Sequence, residues 1–200
     1  EFDVRTTLVD AMTVGASKYL CGLYGFGFLY VRRERAERMQ PGSLARYGID
    51  LGDAHEGEKG GTEYRLMPAA RRFDVGSYNY AGANAVDVSL ALIEKIGVPA
   101  IETHALALAR EFTAGLLKLG LPVMSGKVDK HFSHIVIVGK PEHDAATEAR
   151  LNNLHAHLAA HRVKASIRHG RLRFAFHFYN THDEVAKVLA IVQQFVAAHA

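Results

Sequence analysis

The chain has 200 residues, of which 48% are hydrophobic and 22% are charged. This composition is typical of globular domains and excludes a disordered or fibrous protein. No uninterrupted apolar run is long enough to span a bilayer, and the net charge of +3 comes from scattered basic residues, whereas nucleic-acid binding favours a dense basic stripe. We therefore expect a globular protein whose partners are neither membranes nor nucleic acids.

The chain contains one cysteine, Cys21, so it can form no internal disulfide. This fits a reducing compartment and predicts a cytoplasmic location. No secretion signal is visible at the N-terminus. The sequence instead begins close to a strand, as if the chain started within a domain.

The first strong pattern is a lysine, Lys18, in a turn of small residues between two apolar stretches. Residues 8–14 predict a short buried strand, and residues 26–31 predict an aromatic, β-branched strand bounded by glycines. Desolvation lowers the pKa of an ammonium group, and a lysine tuned in this way can act as a nucleophile that forms a Schiff base. The alternative is an ordinary lysine that reaches solvent from a loop.

The rest of the first half predicts few regular elements. Residues 34–39 indicate a short helix or turn, and the glycine-rich residues 42–70 indicate a long irregular loop. Residues 82–95 predict a helix whose apolar face carries Val86, Leu90 and Ile93. The two early strands have no other strands to pair with, and two strands alone are marginal, so we expect them to belong to a larger sheet.

The second half predicts an α+β unit, in which helices pack on one face of an antiparallel sheet. A helix begins at Pro99, and helical stripes also cover residues 143–161 and the C-terminus, where Thr181 and Glu184 form a capping box. The expected strands are residues 134–138, 163–167 and 171–178. In the last of these, strict alternation points Leu172, Phe174, Phe176 and Phe178 to one face and Arg171, Arg173, Ala175 and His177 to the other.

The 12 histidines do not indicate a metal site. His157 and His161 share a helix face, but the sequence between them lacks the glutamate of the HExxH pattern and offers no obvious third ligand. A solvated helix face is the expected arrangement.

With these residues in place, the sequence resembles the class V aminotransferases, which are fold-type I pyridoxal-phosphate enzymes that also include cysteine desulfurases and selenocysteine lyases. Residues 17–31, SKYLCGLYGFGFLYV, resemble the cofactor-lysine segment of that family. The resemblance implies that Lys18 carries pyridoxal 5'-phosphate and that Ser17 stands where desulfurases often place a ring-stacking histidine. Cys21 lies in the same segment, where we expect it to pack.

Two later segments extend the resemblance in the family's order. Residues 72–77, RFDVGS, resemble the segment that contacts the cofactor phosphate, commonly across a dimer, which implies that Gly76 and Ser77 bind the cofactor. Arg173 resembles the arginine that holds the substrate carboxylate, with Arg168 a second candidate. A planar guanidinium suits a carboxylate, and a helix N-terminus near Ser77 suits a phosphate; without the resemblance, a turn serine and an exposed strand arginine would explain both residues.

The resemblance implies the end of a fold-type I large domain over residues 1–98 and a small α+β domain over residues 99–200. It also implies a homodimer acting on a small amino-acid substrate. The family's pyridine-nitrogen aspartate would precede residue 1, since Asp3 and Asp10 lie too close to Lys18. No cysteine lies near residues 168–173, which argues against persulfide chemistry and leaves transaminase, racemase or epimerase, and lyase reactions open. A catalytically inactive fragment or interaction module is the alternative from another class.

Overall fold

The computed structural model describes residues 2–52, 63–124, 132–142 and 144–199. The chain divides into two compact units, Glu1–Lys95 and Ile96–Ala200. No helix in the described ranges combines the length and apolarity needed to cross a membrane.

The first unit begins with an antiparallel pair of strands, β1 (Ala11–Gly15) and β2 (Gly27–Val31). The two strands pair with each other, and no other strand in the described residues joins them, so their place in a larger sheet stays a prediction. The prediction of a buried strand from residue 8 is wrong. Leu8 is 88% exposed, and exposed and half-buried residues alternate along β1, because a two-stranded ladder covers only part of its surface.

The remaining elements of this unit are short until a long helix is reached. The predicted irregular loop over residues 42–70 contains a 3₁₀ turn and a small antiparallel ladder, and its residues 53–62 lie outside the described ranges. The long helix begins two residues earlier than predicted and buries Val86 and Ile93 as expected. The elements are α1 (Arg33–Ala36), the 3₁₀ turn Arg46–Gly48, β3 (Ile49–Asp50), β4 (Arg65–Leu66), the 3₁₀ turn Ala69–Phe73 and α2 (Tyr80–Ile96).

The second unit is an antiparallel three-stranded sheet with helices over one face, as the sequence predicts. The strand order is β5-β7-β6, and both ladders are antiparallel. The capping box at Thr181 is present with both of its hydrogen bonds. The elements are α3 (Val98–Lys118), β5 (Ile135–Val138), α4 (Ala145–Ala160), β6 (Ser166–Arg168), β7 (Arg171–Ala175) and α5 (His182–Ala198).

The core of this unit lies between the helices and one face of the sheet. Alternate strand residues supply that face, and the helices supply stripes with a period of about 3.6 residues. The apolar stripe of α3 is buried, with at most 3% exposure at Ile101, Ala105, Leu108, Phe112 and Leu116. Strand residues facing the core are Val136, Val138, Leu172 and Phe174.

The strand predicted over residues 171–178 ends at Ala175. Phe176 N still donates to His134 O over 3.0 Å, but the next amide, His177 N, donates to the Asn180 side chain over 3.0 Å. The side-chain oxygen of Asn180 thus takes the place of a carbonyl from a neighbouring strand, and the chain turns there toward α5. The predicted outward position of His177 is also wrong, since that residue is only 4% exposed.

Candidate functional site

The Lys18 turn is a closed loop between β1 and β2. Ala16 N donates to Phe26 O over 3.1 Å, Gly22 N donates to Ala16 O over 2.8 Å, and Cys21 N donates to Lys18 O over 3.0 Å. These bonds bury Ala16 completely and leave Lys18 exposed. The expectation of a lysine surrounded by apolar neighbours is therefore wrong for this chain, because the buried position of the turn belongs to Ala16.

The loop rests against α2 at a glycine. A Cβ added to Gly22 would lie 2.5 Å from Val86 Cγ2 and 3.2 Å from Ala16 O, so only glycine lets the two backbones approach this closely. The Ser89 hydroxyl donates to Cys21 O over 3.0 Å. Cys21 itself is exposed and has a φ of +55°, so its predicted packing role is wrong.

Asn79 joins the same loop to the start of α2. Its side-chain Oδ1 accepts from Gly82 N over 2.9 Å, which caps the helix, and its Nδ2 donates to Gly25 O over 3.2 Å. One side chain therefore sets both the first residue of α2 and the position of the loop that follows Lys18. The sequence pattern predicted that this helix begins at residue 82, so neither the cap at Asn79 nor its hydrogen bond to Gly25 was predicted.

A cleft of about 830 Å³ lies between the ends of β1 and β2 and the segment from residue 70 to residue 79. Gly76 and Ser77 both line it. A Cβ added to Gly76 would meet no heavy atom within 4 Å, so the backbone there stands open. Ser17 and Lys18 are not among the lining residues; they lie in the neighbouring loop.

Tyr78 lines the same cleft and is hydrogen-bonded to the Asp74 carboxylate. Its hydroxyl donates to Asp74 Oδ2 over 2.8 Å, and its ring lies 5.1 Å from that of Tyr47. The hydrogen bond to the carboxylate raises the pKa of the Tyr78 hydroxyl, with smaller contributions from burial and from the Asp74 charge. Tyr78 is therefore a neutral hydroxyl at the rim at physiological pH.

Arg173 and Arg168 lie on the face of the sheet opposite the core. Arg173 is paired with Ile137 on one side and Ser166 on the other, and Arg168 is paired with Arg171. The Arg171 guanidinium donates to the carbonyls of Lys140 and Pro141, over 2.7 and 2.5 Å. Within the described ranges the Arg173 side chain makes no hydrogen bond or ion pair, so its fork of donors is available to an anion.

The sequence did not predict that His134 and His177 lie near Arg173. The His177 ring stacks on Tyr179 with centroids 5.0 Å apart. Burial lowers the pKa of His134, and the charges of His177 and Arg173 lower it further. This end of the sheet therefore favours a neutral His134 imidazole beside the Arg173 cation.

The expectation of a solvated face holds for His161, which is exposed, but is wrong for His157, which is half-buried. The two rings lie 4.4 Å apart, and the His157 ring lies 5.6 Å from that of Phe195. The His157 Nε2 atom is buried and has no hydrogen-bond partner among the described residues. In the part of the chain that the structure describes, no group of three or more histidine, cysteine or acidic side chains could hold a metal ion.

The two early aspartates are both engaged in ion pairs. Asp3 pairs with Arg5 over 2.7 Å, and the hydrogen bonds from Arg5 lower the Asp3 pKa to about 2. Asp10 pairs with Arg35 over 3.0 Å. Both carboxylates thus have ion-pair partners within the first unit.

Comparison with known proteins identifies the family. The family model for Aminotransferase class-V matches residues 1–188. The chain belongs to the class V aminotransferases. The resemblance to that family is confirmed, and the roles of the three segments stay predictions.

Two curated relatives of this class V chain carry different names. The "Uncharacterized aminotransferase YcbU" of Bacillus subtilis (strain 168) is 27% identical over 92% of this chain and 45% of its own length. A "Probable cysteine desulfurase" of Pyrococcus abyssi is 28% identical over 98% of this chain and 49% of its own length. The chain spans about half the length of these relatives.

A solved structure shows the fold. The apo cysteine desulfurase of Thermococcus onnurineus NA1 superposes with a TM-score of 0.79 at 24% identity, over 98% of this chain and 49% of that one. The predicted fold class, mixed α/β with an α+β second part of fold type I, is confirmed. The boundary at residue 98 stays a prediction.

Proposed function

We propose that this chain is the second half of a pyridoxal-phosphate-dependent enzyme that acts on a small amino acid as a transaminase or lyase. The observation that carries the proposal is the cleft in which Gly76 and Ser77 meet the β1–β2 strands. Family membership and relatives named aminotransferase and probable cysteine desulfurase support the reaction class.

The residues of the cleft fit a phosphate. Gly76 leaves its backbone open, Ser77 offers an exposed hydroxyl, and α2 begins at Tyr80, so its first N–H groups and its dipole favour an anion nearby. Tyr78, kept neutral beside Asp74, adds no negative charge of its own. Gly76 and Ser77 would hold the phosphate. In a homodimer this segment would reach the cofactor site of the neighbouring subunit, as the resemblance to the family implies.

Lys18 would hold the cofactor through its ε-amino group. Its exposure leaves that amine reachable, and the hydrogen bonds of residues 16–26 fix the loop that carries it. When bound, pyridoxal phosphate supplies an electron sink for bonds at the substrate Cα. The freed Lys18 amine would then accept and return the Cα proton, as a general base.

Arg173 would orient the substrate by its carboxylate. Arg173 is half-buried on the sheet face opposite the core and forms no hydrogen bond or ion pair in the described ranges, so its donors suit a planar, bidentate anion. Arg168, on the same face, would add positive charge. Ser17 would lie beside the ring without the stacking surface of a histidine.

Mass mapping of the lysine tests the proposal. The chain, and a version joined to the segment that the relatives carry before this region, would be incubated with pyridoxal phosphate and reduced with borohydride. We expect the joined version to carry one pyridoxyl group on the Lys18 peptide, and Lys18→Arg to lose it.

Lys95→Arg is the matched control, since Lys95 lies exposed at the last turn of α2 and the label on Lys18 should persist. Labelling spread evenly over the lysines of the joined version would contradict the proposal. No labelling of either version would favour an interaction module.

A further inference from the structure

The second unit contains a cleft that the proposed function does not use. Its volume is about 490 Å³, and it lies between the C-terminal end of α4, the end of β7 and α5. Small-molecule sites usually occupy about 300–1,000 Å³. Its size therefore suits a small ligand.

The floor of this cleft is apolar and aromatic. The Phe112 ring packs edge-on against Phe174 and Phe176, with centroids 4.8 and 5.5 Å away, and Val188 and Ile191 of α5 complete the surface. None of these five side chains can form a conventional hydrogen bond. The body of a fitting ligand is therefore hydrocarbon.

The rim of the cleft is cationic. Arg162, Lys164 and Lys187 line it, and none of them forms an ion pair within the described ranges. The one acidic lining residue, Glu184, is already engaged: its Oε2 accepts from Thr181 N over 2.9 Å and from Asn180 Nδ2 over 3.3 Å. These neutral donors leave the Glu184 charge in place, so three cations face one carboxylate and the rim has a net positive charge above an apolar floor.

The backbone at Arg162 adds an independent observation. This residue closes α4 with a φ of +61°, and Val163 N donates back to Leu158 O over 2.9 Å. Glycine is the usual residue at such a left-handed helix end, because a side chain disfavours it. An arginine is found there instead, and it lines the cleft.

We propose that this cleft binds a medium-chain fatty acid, with its chain on the phenylalanine floor and its carboxylate at Arg162, Lys164 and Lys187. The surface offers an apolar patch bordered by cations, which is complementary to an amphipathic anion. The site depends on no cofactor and no residue of the first unit, so it stands or fails separately from the proposed function.

Calorimetric titration of the 200-residue chain tests the site with three probes of equal length: octanoate, 1-octanol and octylammonium. We expect octanoate to bind at one site, about tenfold or more tighter than octanol, since a charge-assisted hydrogen bond contributes about this factor. Octylammonium should show no saturable binding. Added salt should weaken octanoate binding more than octanol binding.

Variants locate the binding. Lys164→Gln with Lys187→Gln should weaken octanoate binding about tenfold or more, and Val188→Phe should weaken both octanoate and octanol by filling the floor. Lys118→Gln is the matched control, because Lys118 is exposed on α3 and outside the cleft. Circular dichroism confirms that each variant is folded.

Three results would overturn the proposal. These are the absence of saturable octanoate binding, equal affinity for octanoate and octanol, and a Lys164→Gln, Lys187→Gln protein that binds as tightly as the parent. The lysine pair lies on the surface, so its result does not depend on a repacked core.

Discussion

The Asn79 side chain donates from Nδ2 to Gly25 O over 3.2 Å while its Oδ1 caps α2 through Gly82 N. The loop that carries Lys18 and the segment that carries Ser77 are therefore tied at one residue. The sequence separates them by more than fifty positions. Their common support in the first unit is this amide.

Replacement of Asn79 should separate its two roles. Asn79→Ala loses both the cap and the loop bond, and we expect the free energy of unfolding to fall by about 1–3 kcal/mol. Asn79→Asp keeps the capping oxygen and loses the donor to Gly25, so its loss should be about 1 kcal/mol. Urea denaturation measures both, and equal losses in the two variants would refute the double role.

Enlarging Gly22 should disrupt the contact between the loop and α2. Gly22→Ala places a Cβ 2.5 Å from Val86 Cγ2, and we expect it to lower the free energy of unfolding by about 1–3 kcal/mol. The double variant with Val86→Ala should recover part of this loss in a double-mutant cycle. Gly15→Ala is the control, because its Cβ would meet nothing within 4 Å; an equal effect at Gly15 would argue against the contact.

The second unit should lose stability as the pH falls through the range of His134. Its pKa is lowered from the ordinary 6.5, chiefly by burial, so the unfolded chain binds more protons between the folded pKa and 6.5. The free energy of unfolding therefore falls as the pH drops below 6.5. Urea denaturation at about pH 7 and about pH 5.5 gives the free energy of unfolding at each pH. The difference between the two values should be smaller in His134→Gln than in the parent.

The control for His134 is His169→Asn, at an exposed turn with a φ of +48° that asparagine tolerates. It should leave the pH dependence unchanged. A pH dependence that is the same in the parent and in His134→Gln would contradict the assignment.

In the joined enzyme, Arg173→Lys should lower kcat/KM by about a hundredfold, because a lysine cannot form the bidentate pair with a carboxylate. Arg168→Lys should have a much smaller effect, since it keeps the general positive charge of that face. Steady-state kinetics with the best amino-acid substrate gives both values. A larger loss in Arg168→Lys would exchange the two assigned roles.

Most of the second unit could be predicted from local pattern. Three features depend only on neighbours within one turn or one strand, and each is present. They are the apolar stripe of α3, the inward-facing Leu172 and Phe174 of β7, and the capping box at Thr181. The pattern failed at His177, because the Asn180 side chain takes its amide and ends the strand. A polar side chain three residues later, here Asn180, does not change the alternation of hydrophobic residues from which the strand was predicted.

The sequence by itself determined the family, through three segments in a fixed order, and with it the residue types at positions 18, 77 and 173. Only the tertiary structure decided that Lys18 is exposed while Ala16 is buried, and that Asn79 supports the Lys18 loop. The physical reason is that residue type and spacing encode local geometry, whereas burial and long-range hydrogen bonds depend on which distant backbone atoms the fold brings near. Lys18 is thus an exposed amine in a loop closed by backbone hydrogen bonds.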